Sequence, residues 1–235
     1  MENSDKLVGK LAAIANGFRS SRGTTQEYSL DEMATLAAEP VGGSGDGKNV
    51  AVALLQGELT EITDENFPGM EIIVAGYGTI ERVDHSLLRE TGSFRSSGRL
   101  VSFSAPNLTT FLGKSNNFRD IGPLTSFIGG DVVKIVQSCF ESSGLKYAEF
   151  KSVGTIEQWA FWGAPIETLV IRGDNVTTIA TKTAFDGTPF SAGGSGGTVY
   201  VKSALIEQYK SATNWAALYE GGSCNFVALE GSEYE

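Results

Sequence analysis

The sequence predicts an α/β solenoid, a stack of short parallel strands that ends in a C-terminal strand and helix and follows a small N-terminal helical hairpin. Apolar residues recur in one short pattern with a period in the low twenties. A glycine-rich stretch separates these repeats from an amphipathic N-terminal segment, and a strand-like run followed by a helix-like run ends them. No single repeat of this kind buries its apolar face alone, so stacking must build one continuous core.

Residues 1–40 predict two helices, the second of which begins at Ser29 and extends to about Glu39. Ser29 and Glu32 have the spacing of a capping box. A segment of this length rarely buries enough apolar surface to fold by itself, so we expect it to attach to another protein or to other copies of the chain. The expected attachment and oligomerisation residues are Leu7, Leu11, Ile14, Phe18 and Met33.

Residues 41–49 predict a flexible linker because glycine and serine dominate them. Gly42 and Gly47-Lys48 have the spacing of a phosphate-binding loop. Asn49, however, occupies the position at which serine or threonine would hold magnesium, and the loop would follow a helix rather than a strand. The sequence therefore predicts a linker here, followed by a repeat domain over residues 50–235.

Each repeat contains an apolar strand, a turn and a second apolar segment, which we call the closing step. The closing step ends at a large apolar residue, the closing residue. The strands are predicted to begin at Met70, Leu100, Leu124, Leu145 and Ile166. The closing residues are predicted to be Phe67, Leu88, Phe118, Phe140, Phe161 and Phe185. One step between closing residues is longer than the rest, and it predicts a bulged surface loop over residues 91–98.

The segment Trp159-Ala-Phe-Trp162 concentrates aromatic residues in one repeat. Phe161 falls on the repeated inward position, whereas Trp159 and Trp162 fall where a neighbouring repeat has Ser138 and Glu141. The repeat itself does not require aromatic side chains at these outward positions. We therefore expect the two tryptophans to contact a receptor or a neighbouring subunit on the convex side.

The units LKYAEFKSVGTIEQWAFWGAP and IETLVIRGDNVTTIATKTAFDGTP resemble BspA-type leucine-rich repeats, which have a Leu-x-x-Leu-x-Ile strand, then an Ile, then an Ala-Phe pair. Two units match that pair and two depart from it at the alanine: Ala160-Phe161 and Ala184-Phe185, and Cys139-Phe140 and Asn117-Phe118. The resemblance implies a leucine-rich-repeat-like fold. Residues 197–215 are similar to the family's terminal strand and helix, which implies a cap from about residue 197, with Tyr209 and Trp215 sealing the core.

The segment KLAAIANGFRSSRGTTQEYSLDEMATLAAE resembles an element common in bacteriophage tail, baseplate and fibre proteins. Together with the repeats it implies a virion structural protein: a head fibre, a tail fibre or a baseplate component. Its N-terminus would attach to other virion proteins, its repeat domain would bind a host-surface glycan or protein, and a homo-oligomer such as a trimer is expected. The alternative is a bacterial cell-surface or secreted, extracellular adhesin, which needs an export signal that the N-terminal residues do not resemble.

The outward positions of neighbouring strands are the expected binding surface of the repeats, because stacking brings alternate side chains into one face. They include Ile128, Tyr147, Glu149, Thr168 and Val170. A polysaccharide-acting enzyme is a third possibility, but it would need two neighbouring carboxylates or a metal. The acidic residues are dispersed, and only Glu149 and Glu167 are expected to approach each other, so we predict a non-enzymatic protein without metal or cofactor.

Composition narrows the class of partner further. The formal net charge of -10 argues against a nucleic-acid partner, and no apolar window is long enough for a membrane span. Two cysteines predict free thiols, with Cys139 buried, and the single histidine, His85, predicts a structural role. The acidic end of the chain, residues 230–235, predicts a solvated tail.

Overall fold

The computed structural model describes residues 49–51, 60–65, 67, 69–75, 79–95 and 97–235, which form a β-solenoid of parallel strands. The hairpin predicted for residues 1–40 lies outside the described residues, and so does the predicted linker except for Asn49, which begins the first strand. The strands are β1 Asn49–Ala51, β2 Glu61–Thr63, β3 Met70–Ala75, β4 Arg82–Asp84, β5 Glu90–Ser93, β6 Ser102–Ser104, β7 Thr110–Phe111, β8 Ser126–Ile135, β9 Tyr147–Ile156, β10 Thr168–Ile171, β11 Thr178–Ile179, β12 Gly197–Val201 and β13 Cys224–Ala228.

These strands build two walls of the coil. Wall 1 is the sheet with the order β2-β4-β6-β8-β9-β10-β12-β13. Wall 2 begins with β1-β3-β5-β7 and continues in the second halves of β8 and β9 and in β11. Where β8 bends from wall 1 to wall 2, a Cβ added to Gly130 would lie 2.7 Å from the carbonyl oxygen of Leu108. Turns form the third side, which we call the turn wall and which includes residues 115–122, 137–144 and 158–165.

The predicted α/β character is wrong for the repeats. In the described residues, the α-helices are α1 (Ile206–Ser211) and α2 (Trp215–Glu220), and both belong to the C-terminal cap. Short 3-10 helices span Lys182–Phe185 and Ser203–Leu205. Two strand segments occupy much of each coil, so too few residues remain on the turn wall for an α-helix of ordinary length.

The predicted repeat register is right for the strands from Leu100 onward and wrong before them. Val83, predicted to begin a closing step, pairs on wall 1 with Phe103. The predicted strand from Met70 lies on wall 2 instead of wall 1. The predicted bulge over residues 91–98 begins inside β5, and Phe94 is fully buried. Apolar side chains from both walls fill the same core, so their spacing alone did not distinguish one wall from the other.

A ladder of stacked phenylalanines runs through the core behind the turn wall. Consecutive ring centroids in this ladder are 5.4, 5.6, 5.3 and 5.1 Å apart, and each ring is fully buried. Its members are Phe94, Phe118, Phe140, Phe161 and Phe185. The preceding residue is also fully buried in four of these coils: Asn117, Cys139, Ala160 and Ala184. Asn117 Nδ2 donates to the Leu112 carbonyl at 2.8 Å, whereas its Oδ1 is buried without a hydrogen-bond partner.

The C-terminal cap seals the core with the two residues that the sequence indicated. Tyr209 and Trp215 are fully buried, and the Trp215 ring lies 5.8 Å from that of Phe185 at the end of the ladder. Trp215 Nε1 donates to the Thr177 carbonyl at 2.7 Å, and the Thr177 amide donates to the Tyr209 hydroxyl at 3.0 Å. The chain does not end with the helices, because β13 follows them and pairs with β12 at the edge of wall 1.

The single histidine has the structural role that was expected. His85 is fully buried, and its Nε2 lies 2.8 Å from the carbonyl oxygen of Phe67. Its Nδ1 lies 3.2 Å from Asp64 Oδ1. Asp64 accepts a hydrogen bond from the Ser86 amide at 3.1 Å. Desolvation raises the pKa of the Asp64 carboxyl, but the hydrogen bonds from Ser86 and the charge of His85 outweigh it and lower that pKa overall. His85 thus connects the turn at Asp64 to the next coil.

We expect Phe140→Ala to lower the free energy of unfolding by about 3–5 kcal/mol, because it opens a cavity in the middle of the ladder. Denaturant unfolding followed by circular dichroism would measure the change. Val133→Ala in the same coil is the matched control, since Val133 is 71% exposed and should cost no more than about 0.5 kcal/mol. Equal costs for the two variants would contradict a core built on the ladder.

Both cysteines should be unreactive in the folded protein. Burial raises the pKa of the Cys139 thiol well above its ordinary value and that of Cys224 to about 12, so neither forms the reactive thiolate at mildly alkaline pH. A colorimetric thiol assay should detect no fast-reacting group in buffer and both groups in denaturant. A thiol that reacts quickly in buffer would show that one of the two sites is open to solvent.

Candidate ligand-binding site

A cleft on the turn wall brings together the two tryptophans and a group of polar side chains from the two preceding coils. Its volume is about 520 Å³. Two rows of side chains cross three consecutive coils, and we call the space that they enclose the tryptophan cleft. The first row contains Asn116, Ser138 and Trp159, and the second contains Arg119, Glu141 and Trp162. Ser115 and Gln137, joined by a backbone bridge, complete the lining.

The register of the turns produces these rows. The Asn116 amide donates to the Gln137 carbonyl at 3.0 Å, and the Ser138 amide donates to the Gln158 carbonyl at 3.2 Å. Each residue of the first row therefore lies beside its counterpart in the next coil. The second row follows in the same way, because the Ser142 amide donates to the Trp162 carbonyl at 2.8 Å.

Charged groups form the polar end of the cleft. Arg119 Nη2 lies 2.6 Å from Glu141 Oε1, and Arg119 Nη1 donates to Asn116 Oδ1 at 3.3 Å. Arg119 Nε is buried 3.4 Å from Asp120 Oδ2 without a hydrogen bond to it. The Glu141 side chain is only 9% exposed. The Arg119 side chain is 33% exposed, so the carboxylate is largely withdrawn from water while the guanidinium remains partly accessible. Charge-assisted hydrogen bonds hold the pair in one geometry and orient its donors and acceptors.

The two indoles form the apolar end and have no aromatic or cationic partner within the described residues. Trp159 and Trp162 are 39% and 44% exposed. Trp159 also has a φ of 56°, in the left-handed region that bulky side chains avoid. Asn116 and Ser138 hold the same left-handed turn in the preceding coils, at φ of 64° and 53°. The fold thus provides a position suited to asparagine, and this coil places a tryptophan there.

An aromatic surface beside oriented polar groups is the usual composition of a site for a small polar ligand. The indole faces can pack against apolar C–H groups, and each indole N–H is a hydrogen-bond donor. Strained backbone positions are concentrated at functional sites, where the strain is retained for the side chain that it presents. These features make the tryptophan cleft the candidate site of this chain.

The predicted strand surface lies on wall 1, separate from the two tryptophans on the turn wall. Tyr147 pairs with Thr168, and Ile128 with Glu149, so these four side chains do share one face. Val170 pairs with Glu149 in the same row but is fully buried, which contradicts its predicted role as a contact residue.

The polar groups of this surface are already engaged with one another. Tyr147 Oη donates to Glu149 Oε2 at 2.5 Å, and Arg172 Nε donates to Glu149 Oε1 at 2.7 Å. Burial and the neighbouring Glu149 carboxylate raise the pKa of the Tyr147 phenol well above its usual value. Both oxygens of Glu149 therefore have partners before any ligand arrives.

The C-terminal tail covers part of this surface, so the expectation of a solvated tail is wrong for Tyr234. The Tyr234 ring lies 4.6 Å from that of Tyr200 and 5.7 Å from that of Tyr147, measured between centroids. The tail is held in a turn by the Ser232 hydroxyl, which donates to the Leu229 carbonyl at 2.7 Å.

Glu149 and Glu167, the carboxylates expected to approach each other, are not register neighbours on wall 1. The Glu167 amide donates to the Lys146 carbonyl, whereas Glu149 pairs in register with Val170. Within the part of the chain that the structure describes, no three His, Cys, Asp or Glu side chains converge in a metal-binding arrangement. Among the same residues, no helix has the length and apolar character needed to cross a bilayer.

None of the six polar residues that line the cleft was predicted as a site residue: Ser115, Asn116, Arg119, Gln137, Ser138 and Glu141. The repeat alignment already placed Ser138 and Glu141 at the positions of the two tryptophans, one coil earlier. Extending that alignment one more coil leads to Asn116 and Arg119. This signal was weak, because polar residues at outward positions are ordinary in any repeat protein.

We expect Trp159→Asn to leave the free energy of unfolding unchanged or to raise it by up to about 1 kcal/mol, because asparagine tolerates the left-handed backbone. Denaturant unfolding is the measurement. Trp215→Asn is the contrast, and should cost about 3–5 kcal/mol because it empties the sealed core. A loss of similar size for Trp159→Asn would mean that this indole serves the fold rather than a ligand.

Comparisons with known proteins leave the fold and the cleft as the grounds for a functional proposal. No protein-family model, no curated protein and no solved structure matches this chain. The parallel-strand solenoid is compatible with a repeat protein, while neither a BspA-type nor a bacteriophage identity gains support from these comparisons.

Proposed function

We propose that this chain is a bacteriophage virion structural protein, of a head fibre, tail fibre or baseplate, and that its solenoid binds a host-surface receptor through the tryptophan cleft. The observation that carries the binding role is the pair of partly exposed indoles, one of them at a strained backbone position, beside the Arg119–Glu141 pair. The fold does not need either indole. A ligand gives both of them a function.

The solenoid suits a recognition role because its core fixes the cleft before a ligand arrives. Each row of the cleft is held by backbone hydrogen bonds between coils, so little side-chain or backbone freedom is lost on binding. Indole rings supply large contact area at low entropic cost, which is why tryptophan is enriched among residues that dominate binding energy.

The assignment to a virion rests on the N-terminal sequence element, whose residues lie outside the described part of the chain. In this proposal Leu7, Leu11, Ile14, Phe18 and Met33 attach the protein to other virion proteins and assemble it as a homo-oligomer, for which a trimer suits a fibre. A bacterial adhesin could use the same cleft, and the two roles differ in whether particles carry the protein.

The receptor-binding role predicts that the full-length protein adsorbs to intact bacteria of the species whose lysates contain it. Trp159→Ala together with Trp162→Ala should weaken adsorption about tenfold or more, because buried tryptophan contacts commonly contribute about 2 kcal/mol each. Fluorescently labelled protein and flow cytometry would give the binding curves. Val133→Ala, an exposed apolar residue of the same solenoid, is the control and should adsorb like the unsubstituted chain.

Equal adsorption of the double variant and the control would contradict binding through the tryptophan cleft. The virion assignment has a separate test, because particles purified from the same lysates should contain the chain at a fixed copy number. Leu11→Asp with Phe18→Asp should remove it from the particles, while the remaining adsorption of the free protein should still depend on Trp159 and Trp162. Absence of the unsubstituted chain from purified particles would favour the adhesin.

A further inference from the structure

We propose that the ligand of the tryptophan cleft is an uncharged saccharide, bound by the two indoles through its C–H face and by Glu141, Asn116 and Gln137 through its hydroxyl groups. This inference rests on the proposed receptor-binding function and adds the chemical class of the receptor. Some groups of the cleft already have partners, and the others are free to bind a ligand.

The charged side chains of the cleft are already paired with one another. Arg119 is the cation of the lining, and Asn116 and Glu141 occupy its two terminal nitrogens. Its remaining nitrogen, Nε, is buried beside Asp120. Asp120 in turn lies 3.7 Å from Arg95 Nε, so two arginines face two carboxylates. An anionic ligand would find no uncompensated positive charge here, and the net charge of -10 repels it at longer range.

A cationic ligand is disfavoured for the complementary reason. Paired indoles can accept an ammonium group over their faces, and a neighbouring carboxylate commonly adds to the attraction. In this cleft the carboxylate is Glu141, whose Oε1 is 2.6 Å from the Arg119 guanidinium. A cation would have to compete with that guanidinium inside a largely buried pair, and breaking such a pair leaves an uncompensated charge.

An uncharged saccharide fits both ends of the cleft without breaking the pair. A pyranose ring has an apolar face of C–H groups and a rim of hydroxyls that donate and accept at once. The indole faces, which have no partner in the described residues, can pack on the C–H groups. Glu141 Oε2 and the Gln137 side chain can exchange hydrogen bonds with the hydroxyls, since charge-assisted and amide hydrogen bonds orient neutral polar ligands. Asn116 Nδ2 already donates to Ser115 Oγ at 2.7 Å, and its second N–H can donate to a hydroxyl. A volume of about 520 Å³ accommodates one to two sugar rings.

Matched sugars that differ in one charge would test this inference in the full-length protein. The probes are galactose and galacturonic acid, glucose and glucuronic acid, and N-acetylglucosamine with its amino counterpart glucosamine. Binding would be followed by tryptophan fluorescence, because Trp159 and Trp162 are partly exposed whereas Trp215 is buried and supplies a constant background. We expect at least one neutral sugar to shift the emission at millimolar concentration, and its charged counterpart to bind at least about fivefold more weakly.

Glu141→Gln tests the role of charge directly. It keeps the shape of the side chain and removes the negative charge that compensates the Arg119 guanidinium. The uronic acid should then gain about fivefold relative to the neutral sugar, which corresponds to a charge pair of about 1 kcal/mol. Circular dichroism and the buried Trp215 emission would show that the variant is folded. The Trp159→Ala and Trp162→Ala double variant should lose the neutral-sugar response, and Val133→Ala should keep it.

The inference is overturned if the charged sugar of each pair binds as well as the neutral one, or if no neutral sugar changes the emission. It is also overturned if protease treatment of the bacteria, but not oxidation of their glycans with periodate, abolishes tryptophan-dependent adsorption. In that case the receptor is a protein, and the proposed receptor-binding function stands without its saccharide. If adsorption to the bacteria does not depend on the two tryptophans at all, the proposed receptor-binding function is itself contradicted.

Discussion

Stacking of the phenylalanine ladder is the interaction on which the rest of the molecule depends. The ladder repeats at about the separation of neighbouring parallel strands, so each ring continues the register that the walls begin. The cleft inherits this register, because its rows occupy the positions two residues before and one residue after Phe118, Phe140 and Phe161. A rigid core behind the turn wall thereby aligns six outward side chains from three coils, although none of those side chains contributes to the core.

The turn wall separates positions that the core requires from positions that it leaves open to other roles. Inward positions are fully buried and carry phenylalanine or a small residue, and the Asn117 side chain at one of them donates to the Leu112 carbonyl. The first outward position requires a left-handed backbone, which Asn116 adopts at low cost and Trp159 does not. The chain retains an unfavourable residue at a position where a favourable one is available, which is the expected sign of a residue kept for binding.

The sequence predicted the stacked parallel strands and the cap because periodic apolar residues and a required end seal have direct signatures, and Tyr209 and Trp215 followed from the latter. It misplaced the first two coils, since Val83 and Met70 are equally apolar whichever wall they join. It singled out Trp159 and Trp162 as candidate contact residues because the repeat does not explain them, and the structure shows both partly exposed on the turn wall. It did not identify Arg119, which looks like any outward charge, or the cover that Tyr234 places on Tyr147, because that contact depends on the path of the tail.

A crystal structure of the full-length protein with the neutral sugar that shifts its fluorescence most would test the central claim most directly. The account predicts density for the sugar in the tryptophan cleft, with its C–H face against Trp159 or Trp162 and at least one hydroxyl on Glu141 or Asn116, and with the Arg119–Glu141 pair intact. Density for the sugar on wall 1 beside Tyr147, with the tryptophan cleft empty, would contradict it.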